Sequence, residues 1–476
     1  VSQSLSELLK GYPAARAISA QDVRAAHAGG SVLVVLDDDP TGTQSVTGLP
    51  VITSWEEADF QWAFSQGAPA IYVMTNSRSL SPEAAERINR EVARNARVAA
   101  RTQGLELGFV SRSDSTLRGH FPLEPQTLIE EETAAGHTID GVLIIPAFGD
   151  AGRVTVGGVH YAGSEESGFE PVGASEFAQD ATFGYSASNL CDWVEEKTHG
   201  KTPAAEVAHL DLTTIRDGRA AELLGGISGG RYVACDAVTE EDLRAVALGV
   251  IESGKNFIYR VGPPFVRAFI GQELAAPLTA ENIPVAAADR GGLVVVGSHV
   301  PTTTRQLAAL LKEREATVIE LDAATVLNHG EGYLDELTER VDEALKHSTV
   351  VFHTSRQLIK GKDKDESLAI ARRVSEALVS VVNGVVHKAP PAFVIAKGGI
   401  TSSDVASKGL EMRRATVVGP MQPGIISLWA AQDGPAQGTP YIVFAGNVGS
   451  DSSLSYVVGV CEQAAANNYR KELDND

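Results

Sequence analysis

Short runs of branched apolar residues recur along the first half of the chain, at 31–36, 70–74, 107–110 and 141–145, each followed by glycine or small polar residues. A strand with one wet face would alternate apolar and polar positions, so uninterrupted runs of this length read as strands buried on both faces. The stretch 82–101 between two of them carries helical spacing, and alternation of such strands with helices predicts a doubly wound parallel sheet. The pattern lapses at about 275–292, where proline, alanine and glycine replace periodic structure. It resumes with an apolar run at 293–296, and further strands are expected at 317–321, 350–353, 392–396 and 441–444, with helices at 304–314, 333–346 and 366–382. The expected fold is therefore α/β in two domains, 1–280 and 290–476, each a largely parallel sheet with flanking helices. The stretches 163–188 and 223–230, glycine-containing and aperiodic, read as surface loops.

A length of 476 residues suits two domains, and 43% hydrophobic with 21% charged residues is the composition of a folded globular chain. The formal net charge of -21 disfavours nucleic acid and anionic membranes as partners, because both require clustered basic side chains. It leaves room for a small anion in a locally positive pocket. Cys191, Cys235 and Cys461 lie far apart and in no metal-ligand spacing, which suits a reducing compartment. With no apolar stretch of membrane-spanning length and no signal-like core near the N-terminus, a cytoplasmic location is expected. Homo-oligomerisation stays open.

Polar chemistry gathers where the apolar runs end, the place where open α/β sheets bind ligands. The first run leads into Asp37-Asp38-Asp39-Pro40-Thr41-Gly42-Thr43-Gln44, three adjacent carboxylates that repel unless a cation, a ligand hydroxyl or a basic side chain neutralises them. The second ends in Asn76-Ser77-Arg78. The third ends in Arg112-Ser113-Asp114-Ser115-Thr116-Leu117-Arg118-Gly119, and the fourth is followed by Arg153. Arginine forks onto carboxylates, and the carboxylate, amide and hydroxyl side chains match sugar hydroxyls, so this set suits a hydroxy acid. His160 reads as structural.

In the second half, Gly297-Ser298-His299 leads to a hydroxyl-rich helix start at Thr302-Thr303-Thr304. Lys397-Gly398-Gly399-Ile400-Thr401 lets the backbone approach an anion where a strand meets a helix. Glycine turns from Gly419 to Gly424 and at Gly446-Asn447 complete a glycine-lined rim. None of these is a P-loop or a dinucleotide fingerprint.

Asp38-Asp39-Pro40-Thr41-Gly42 and Asp114-Ser115-Thr116-Leu117-Arg118-Gly119 resemble the Asp-Asp-x-Thr-Gly and Asp-Ser-Thr-Leu-Arg-Gly motifs of the four-carbon acid sugar kinases. The segments 146–153, 296–298, 398–402 and 419–424 are similar to further blocks of that family, in the same order. The resemblance implies a sugar-acid-binding N-terminal domain, an ATP-binding C-terminal domain and phosphate transfer in the interdomain cleft, with Mg²⁺ on the ATP phosphates. It implies that Asp38, Asp39, Arg78, Asp114 and Arg118 line the acid pocket and that Ser298, Gly398, Gly399, Thr401 and Gly424 hold ATP. The residues alone add Thr41, Asn76, Ser77, Arg112, Thr116 and Arg153 to the first set, and Lys397, Ile400, Gly419, Gly446 and Asn447 to the second. Asp37, Pro40, Thr43-Gln44 and Arg112 depart from the family pattern and leave the acid open among D-threonate, D-erythronate, 3-oxo-tetronate and relatives.

As a catalytic base that accepts the proton of the attacking hydroxyl, Asp114 is the first expectation and Asp38 the second, with Lys397 or an arginine stabilising the transferred charge. No metal ligands are assigned. Two other readings compete: a metal-dependent sugar-acid lyase or dehydratase with its metal on Asp37–Asp39, and a sugar-acid sensor without turnover.

Overall fold

In the computed structural model the apolar runs are the central strands, as their lack of alternation demands. It describes residues 2–285, 289–328, 331–356, 359, 362, 364–446 and 448–473. Two compact units result, Val1–Leu274 and Ala275–Asp476.

The N-terminal unit holds β1 (Val32–Asp37), β2 (Pro50–Ile52), β3 (Ala70–Met74), β4 (Leu107–Arg112), β5 (Gly141–Ile145), β6 (Arg153–Val156), β7 (Val159–Ser164), β8 (Gly168–Pro171), β9 (Ala208–Leu210), β10 (Arg231–Cys235) and β11 (Phe257–Val261). Its main sheet runs β2-β3-β1-β4-β11-β5-β10-β9, parallel throughout. From β1 the chain builds β2 and β3 on one side and then crosses to β4 on the other, so the order reverses between β1 and β4. That reversal opens a crevice at the carboxyl ends, and the register sets Asp37 opposite both Met74 and Arg112 there. The helix Pro82–Gln103 opens with Ser81 as N-cap and proline in its first turn, and stops at Gly104 with φ +66°. Its buried face is largely alanine (Ala85, Ala93, Ala96, Ala99, Ala100), which allows close packing on the sheet.

The C-terminal unit adds β12 (Leu293–Val296), β13 (Thr317–Leu321), β14 (Val350–Thr354), β15 (Val394–Lys397), β16 (Arg414–Gln422), β17 (Ile426–Ala431) and β18 (Pro440–Phe444). The order within it is β13-β14-β12-β15-β18-β17-β16. The first five are parallel, β17 runs antiparallel to β18, and β16 runs antiparallel to β17. The hairpin alternates buried and half-buried residues along β16, a weaker signal than the runs around it.

Two expected loops are not simply loops. Part of 163–188 forms the end of β7 and all of β8 in a three-stranded antiparallel sheet, then two short 3-10 turns, Val172–Ala174 and Glu176–Gln179. Val172, Ala178 and Tyr185 are buried, so this segment packs on the domain instead of skirting it. Within 223–230, the first residues close the helix Ala220–Gly225. Among the described residues, no helix is long and apolar enough to cross a membrane.

Candidate active site

Three aspartates leave the end of β1, and two arginines meet them. Arg112, next to Asp37 across the sheet, pairs with its carboxylate, donates to the Asp39 carbonyl and lies 3.4 Å from Asp38. Arg78, just beyond β3, donates Nε and Nη2 to the two Asp38 oxygens at 3.1 and 2.7 Å and lies 3.7 Å from Asp39. Asp39 caps the turn Pro40–Ser45, accepting the Thr41 N–H at 3.0 Å and its hydroxyl at 2.5 Å. A side chain at Gly42 would overlap the Asp37 carboxylate and the Arg112 guanidinium, so only glycine lets the turn cross that pair. Burial pushes the Asp37 carboxyl up to about 7 against the pull of Arg112, with Asp38 and Asp39 adding to the rise. For Asp39 burial pushes the same way, but Arg78 and Arg112 outweigh it and hold the group below its ordinary value.

Asn76 takes a left-handed backbone (φ 52°) that starts the turn carrying Arg78. Ser77, the first residue of that turn, is fully buried and donates to Glu124. Glu124 in turn accepts from Arg260 at 2.6 Å, and Arg260 reaches Ser111 at 2.7 Å. A Cβ on Gly119 (φ +125°) would stand 2.8 Å from Arg260 and 3.0 Å from Asp38. The Arg260–Glu124 pair therefore underlies both polar loops. Arg260 is visible in the sequence as a charge inside the apolar strand Phe257–Val261, where it requires a partner.

The loop after β4 folds on Asp114. Arg118 Nε donates to Asp114 Oδ2 at 2.6 Å and the Thr116 hydroxyl donates to the same oxygen, with no hydrogen bond to Oδ1 among the described residues. Burial works to raise the Asp114 carboxyl, but Arg78, Arg118 and the Thr116 hydrogen bond drive it well below the carboxylate range. His160 is structural, as expected: its Nε2 lies 2.7 Å from the Ser115 carbonyl and Nδ1 lies 2.8 Å from the Thr155 hydroxyl. Since a carbonyl only accepts, Nε2 carries the proton and Thr155 donates to Nδ1. Burial lowers this imidazole to about 4, keeping it neutral.

Arg153, at the start of β6, has no carboxylate partner among the described residues. Its Nη1 donates to the Ala151 carbonyl, and its Nε is buried without a partner among the described residues. Its guanidinium lies 5.5 Å from the centre of the Phe177 ring, and that of Arg118 lies 5.4 Å from the same ring. Arg118 also approaches Asp180 at 3.7 Å, and Tyr185 donates to the Thr116 carbonyl at 2.6 Å. Two arginines sharing one aromatic wall beside a carboxylate have chemistry that suits an anion carrying hydroxyls. Phe177, Asp180 and Tyr185 lie in the aperiodic stretch, and nothing in their spacing marks them. A cavity of about 720 Å³ in this unit borders Asp150, Glu240 and Arg267 and none of these expected residues.

In the C-terminal unit the expected loops converge on Ser298. A Cβ on Gly398 (φ +119°) would lie 3.0 Å from Ser298 Cβ, one on Gly446 would lie 2.9 Å from Ser298 Oγ, and one on Gly297 would overlap Thr401. The Thr303 hydroxyl donates to the Gly446 carbonyl at 2.9 Å and lies 3.2 Å from Ser298 Oγ. Beside this cradle lies a cavity of about 410 Å³ with Ile359, Ile370, Val374 and Leu378 in its wall, and Gly297, Ile400 and Thr401 at the cradle side. Gly399 opens the short helix Gly399–Asp404. Gly424, φ +68°, stands in the β16–β17 turn. Because Ile426 pairs with Phe444, and Phe444 with Lys397, that turn lies at the carboxyl end of the parallel strands. Gly419 sits inside β16 opposite Leu428. Asn447 lies outside the described residues.

Lys397 differs from expectation in orientation. It is fully buried, donates to the Ala445 carbonyl at 2.6 Å and stands 3.8 Å from the centre of the Phe444 ring. Burial lowers its amine to about 7. It braces β15 to the chain leaving β18.

A small anion and a nucleotide are the ligands these two geometries suit, and relatives point the same way. Residues 33–269 match the family described as sugar-binding N-terminal domain, and 293–454 match the nucleotide-binding C-terminal domain. The chain is 26% identical over 410 residues to a D-erythronate kinase of Heliobacterium modesticaldum, spanning 79% of this chain and 88% of that one. It is 28% identical over 395 residues to a D-threonate kinase of Cupriavidus necator, spanning 79% and 85%. A crystal structure of a Haemophilus influenzae protein shares the fold with a TM-score of 0.60 at 18% identity, covering 90% of this chain and all of that one.

Proposed function

The chain belongs to the four-carbon acid sugar kinase family, and from that premise we propose that it phosphorylates a hydroxyl of a four-carbon sugar acid at the expense of ATP. The observation that carries the residue assignment is the Asp114 loop, where one carboxylate oxygen is left for a hydroxyl while Arg118 and Arg153 stand on Phe177 beside it. On this reading the acid's carboxylate docks against Arg153 and Arg118, and Asp114 takes the hydrogen bond of the reacting hydroxyl. Asp114 is preferred over Asp38, because Asp38 already spends both oxygens on Arg78.

Held so far below the ordinary range, the Asp114 carboxylate is a poor proton acceptor in the ground state. Its main contribution is to orient the hydroxyl, with proton transfer following as the oxygen's charge is lost to phosphorus. Bound ATP supplies the phosphoryl group, and its Mg²⁺ travels with the phosphates. The Ser298 cradle fits those phosphates, since the glycines around it leave backbone where any side chain would intrude, and the neighbouring apolar cavity has the size and lining of a purine site. Asp37, Asp38 and Asp39 are each met by an arginine, so they do not offer the open cation cage a metal-dependent lyase requires. A cytoplasmic setting suits the three free thiols.

The test compares four-carbon aldonic acids with the uncharged alcohols of the same chain, following ADP release in wild type and Arg153→Ala. Wild type turns over at least one acid and not the alcohols, and the variant raises KM for the acid by roughly 10–100-fold. Equal turnover of the neutral alcohols contradicts the assignment.

A further inference from the structure

Arg290, Arg305 and Arg314 of the C-terminal unit each meet a carboxylate: Asp342, Asp451 and Glu462. Arg356 has no such partner among the described residues. It follows β14, whose carboxyl end lies beside that of β12, with His353 opposite Val296. From there its Nη1 donates to the Ser298 carbonyl and its Nη2 to the Thr304 hydroxyl, both at 2.6 Å. Its Nε is buried and has no hydrogen-bond partner among the described residues. A guanidinium has five N–H donors, so these two bonds fix the fork in place and leave donors unused.

What surrounds that fork is arranged for an anion. Ser298 is the residue on which the Gly398 and Gly446 backbones close. Thr304 sits in the first turn of the helix Pro301–Glu313, which has no acidic residue in that turn and whose leading N–H groups lack helical acceptors. Ser355, next to Arg356 in the chain, lines the apolar cavity. A ligand with an apolar ring in that cavity and a charged tail toward Ser298 therefore brings its tail to Arg356.

We infer that Arg356 is a phosphate-binding residue, taking the β-phosphate of a nucleotide whose base occupies the adjacent cavity. The inference rests on the nucleotide reading of this unit and adds to it a residue that no motif indicates. The rival role is structural: Arg356 ties the Ser298 loop to the helix and touches no ligand.

Calorimetric titration of AMP and ADP into full-length wild type, Arg356→Gln and Arg356→Lys separates the two, with melting temperatures as the folding control. Wild type binds ADP more tightly than AMP. In Arg356→Gln the affinity for ADP falls roughly 10–100-fold while AMP changes little, and Arg356→Lys retains part of the difference. Loss of AMP and ADP affinity by the same factor, or of neither, overturns the inference while leaving the nucleotide site standing. Wild type that binds neither AMP nor ADP contradicts the nucleotide reading itself, and this inference with it. Arg356→Lys keeps the charge and serves as the deciding variant if Arg356→Gln does not fold.

Discussion

Asp114 gives one oxygen to Arg118 and Thr116 and keeps the other. Replacing it with asparagine preserves the shape and removes the charge that orients the hydroxyl, so Asp114→Asn is expected to lower kcat by about 10²–10⁴-fold with ADP affinity unchanged. Steady-state kinetics beside a nucleotide titration check this, and an unaltered kcat rules Asp114 out. At this scale the sequence was informative where charge had to be explained. Asp37–Asp39, Arg78 and Arg118 stand at strand ends where an unpaired charge is costly, and the structure pairs them. Phe177 and Asp180 carried no such signal, since an aromatic or an acid in an aperiodic stretch has many ordinary uses. Lys397 misled for the opposite reason. Lysine beside two glycines has the chemistry of a phosphate ligand, but a strand-end side chain can also turn into the core, as this one does.

Strands buried on both faces were the most legible elements, because burial on two sides leaves no polar alternation to confuse the reading. β2 and β9, three residues each, are too short to display any period. β8 and the turns after it are held by Val172, Ala178 and Tyr185 at irregular spacing. The turn Pro40–Ser45 shows how an element delivers the site: proline starts it, Asp39 caps it, and Gly42 lets it cross the Asp37–Arg112 pair. Gly42→Ala forces a methyl group into that pair, and overpacking of this kind costs about 1–3 kcal/mol. Chemical denaturation should register a loss of that size together with weakened acid binding. Unchanged stability implies that the turn moves aside freely, and the description of it fails.

The chain as a whole carries a net charge of -21 yet brings Arg78, Arg112, Arg118 and Arg153 to the strand-end loops where the proposed anion site lies. Its global stability has a readable pH dependence through Lys397. Below pH 7 this amine is protonated in both folded and unfolded chains, and the fold bears the full penalty of burying the charge. Between about 7 and the ordinary lysine value near ~10.4, the unfolded chain binds more protons than the folded one, so the Lys397 contribution to stability rises with pH. The unfolding free energy of wild type minus that of Lys397→Met should increase across this window by up to about 1.4 kcal/mol per pH unit. A flat or falling difference shows that the amine is charged in the fold.

The central claim is that phosphate moves from ATP to a four-carbon sugar acid, and the direct measurement follows the label. Wild-type protein is incubated with γ-³²P-ATP, Mg²⁺ and each four-carbon aldonic acid in turn, and the products are separated. The account predicts radioactivity in a phosphorylated acid for at least one of them, in equal amount to the ADP formed, and none with Asp114→Asn on the same timescale. Acid consumed without ATP, or label found only in inorganic phosphate, contradicts it.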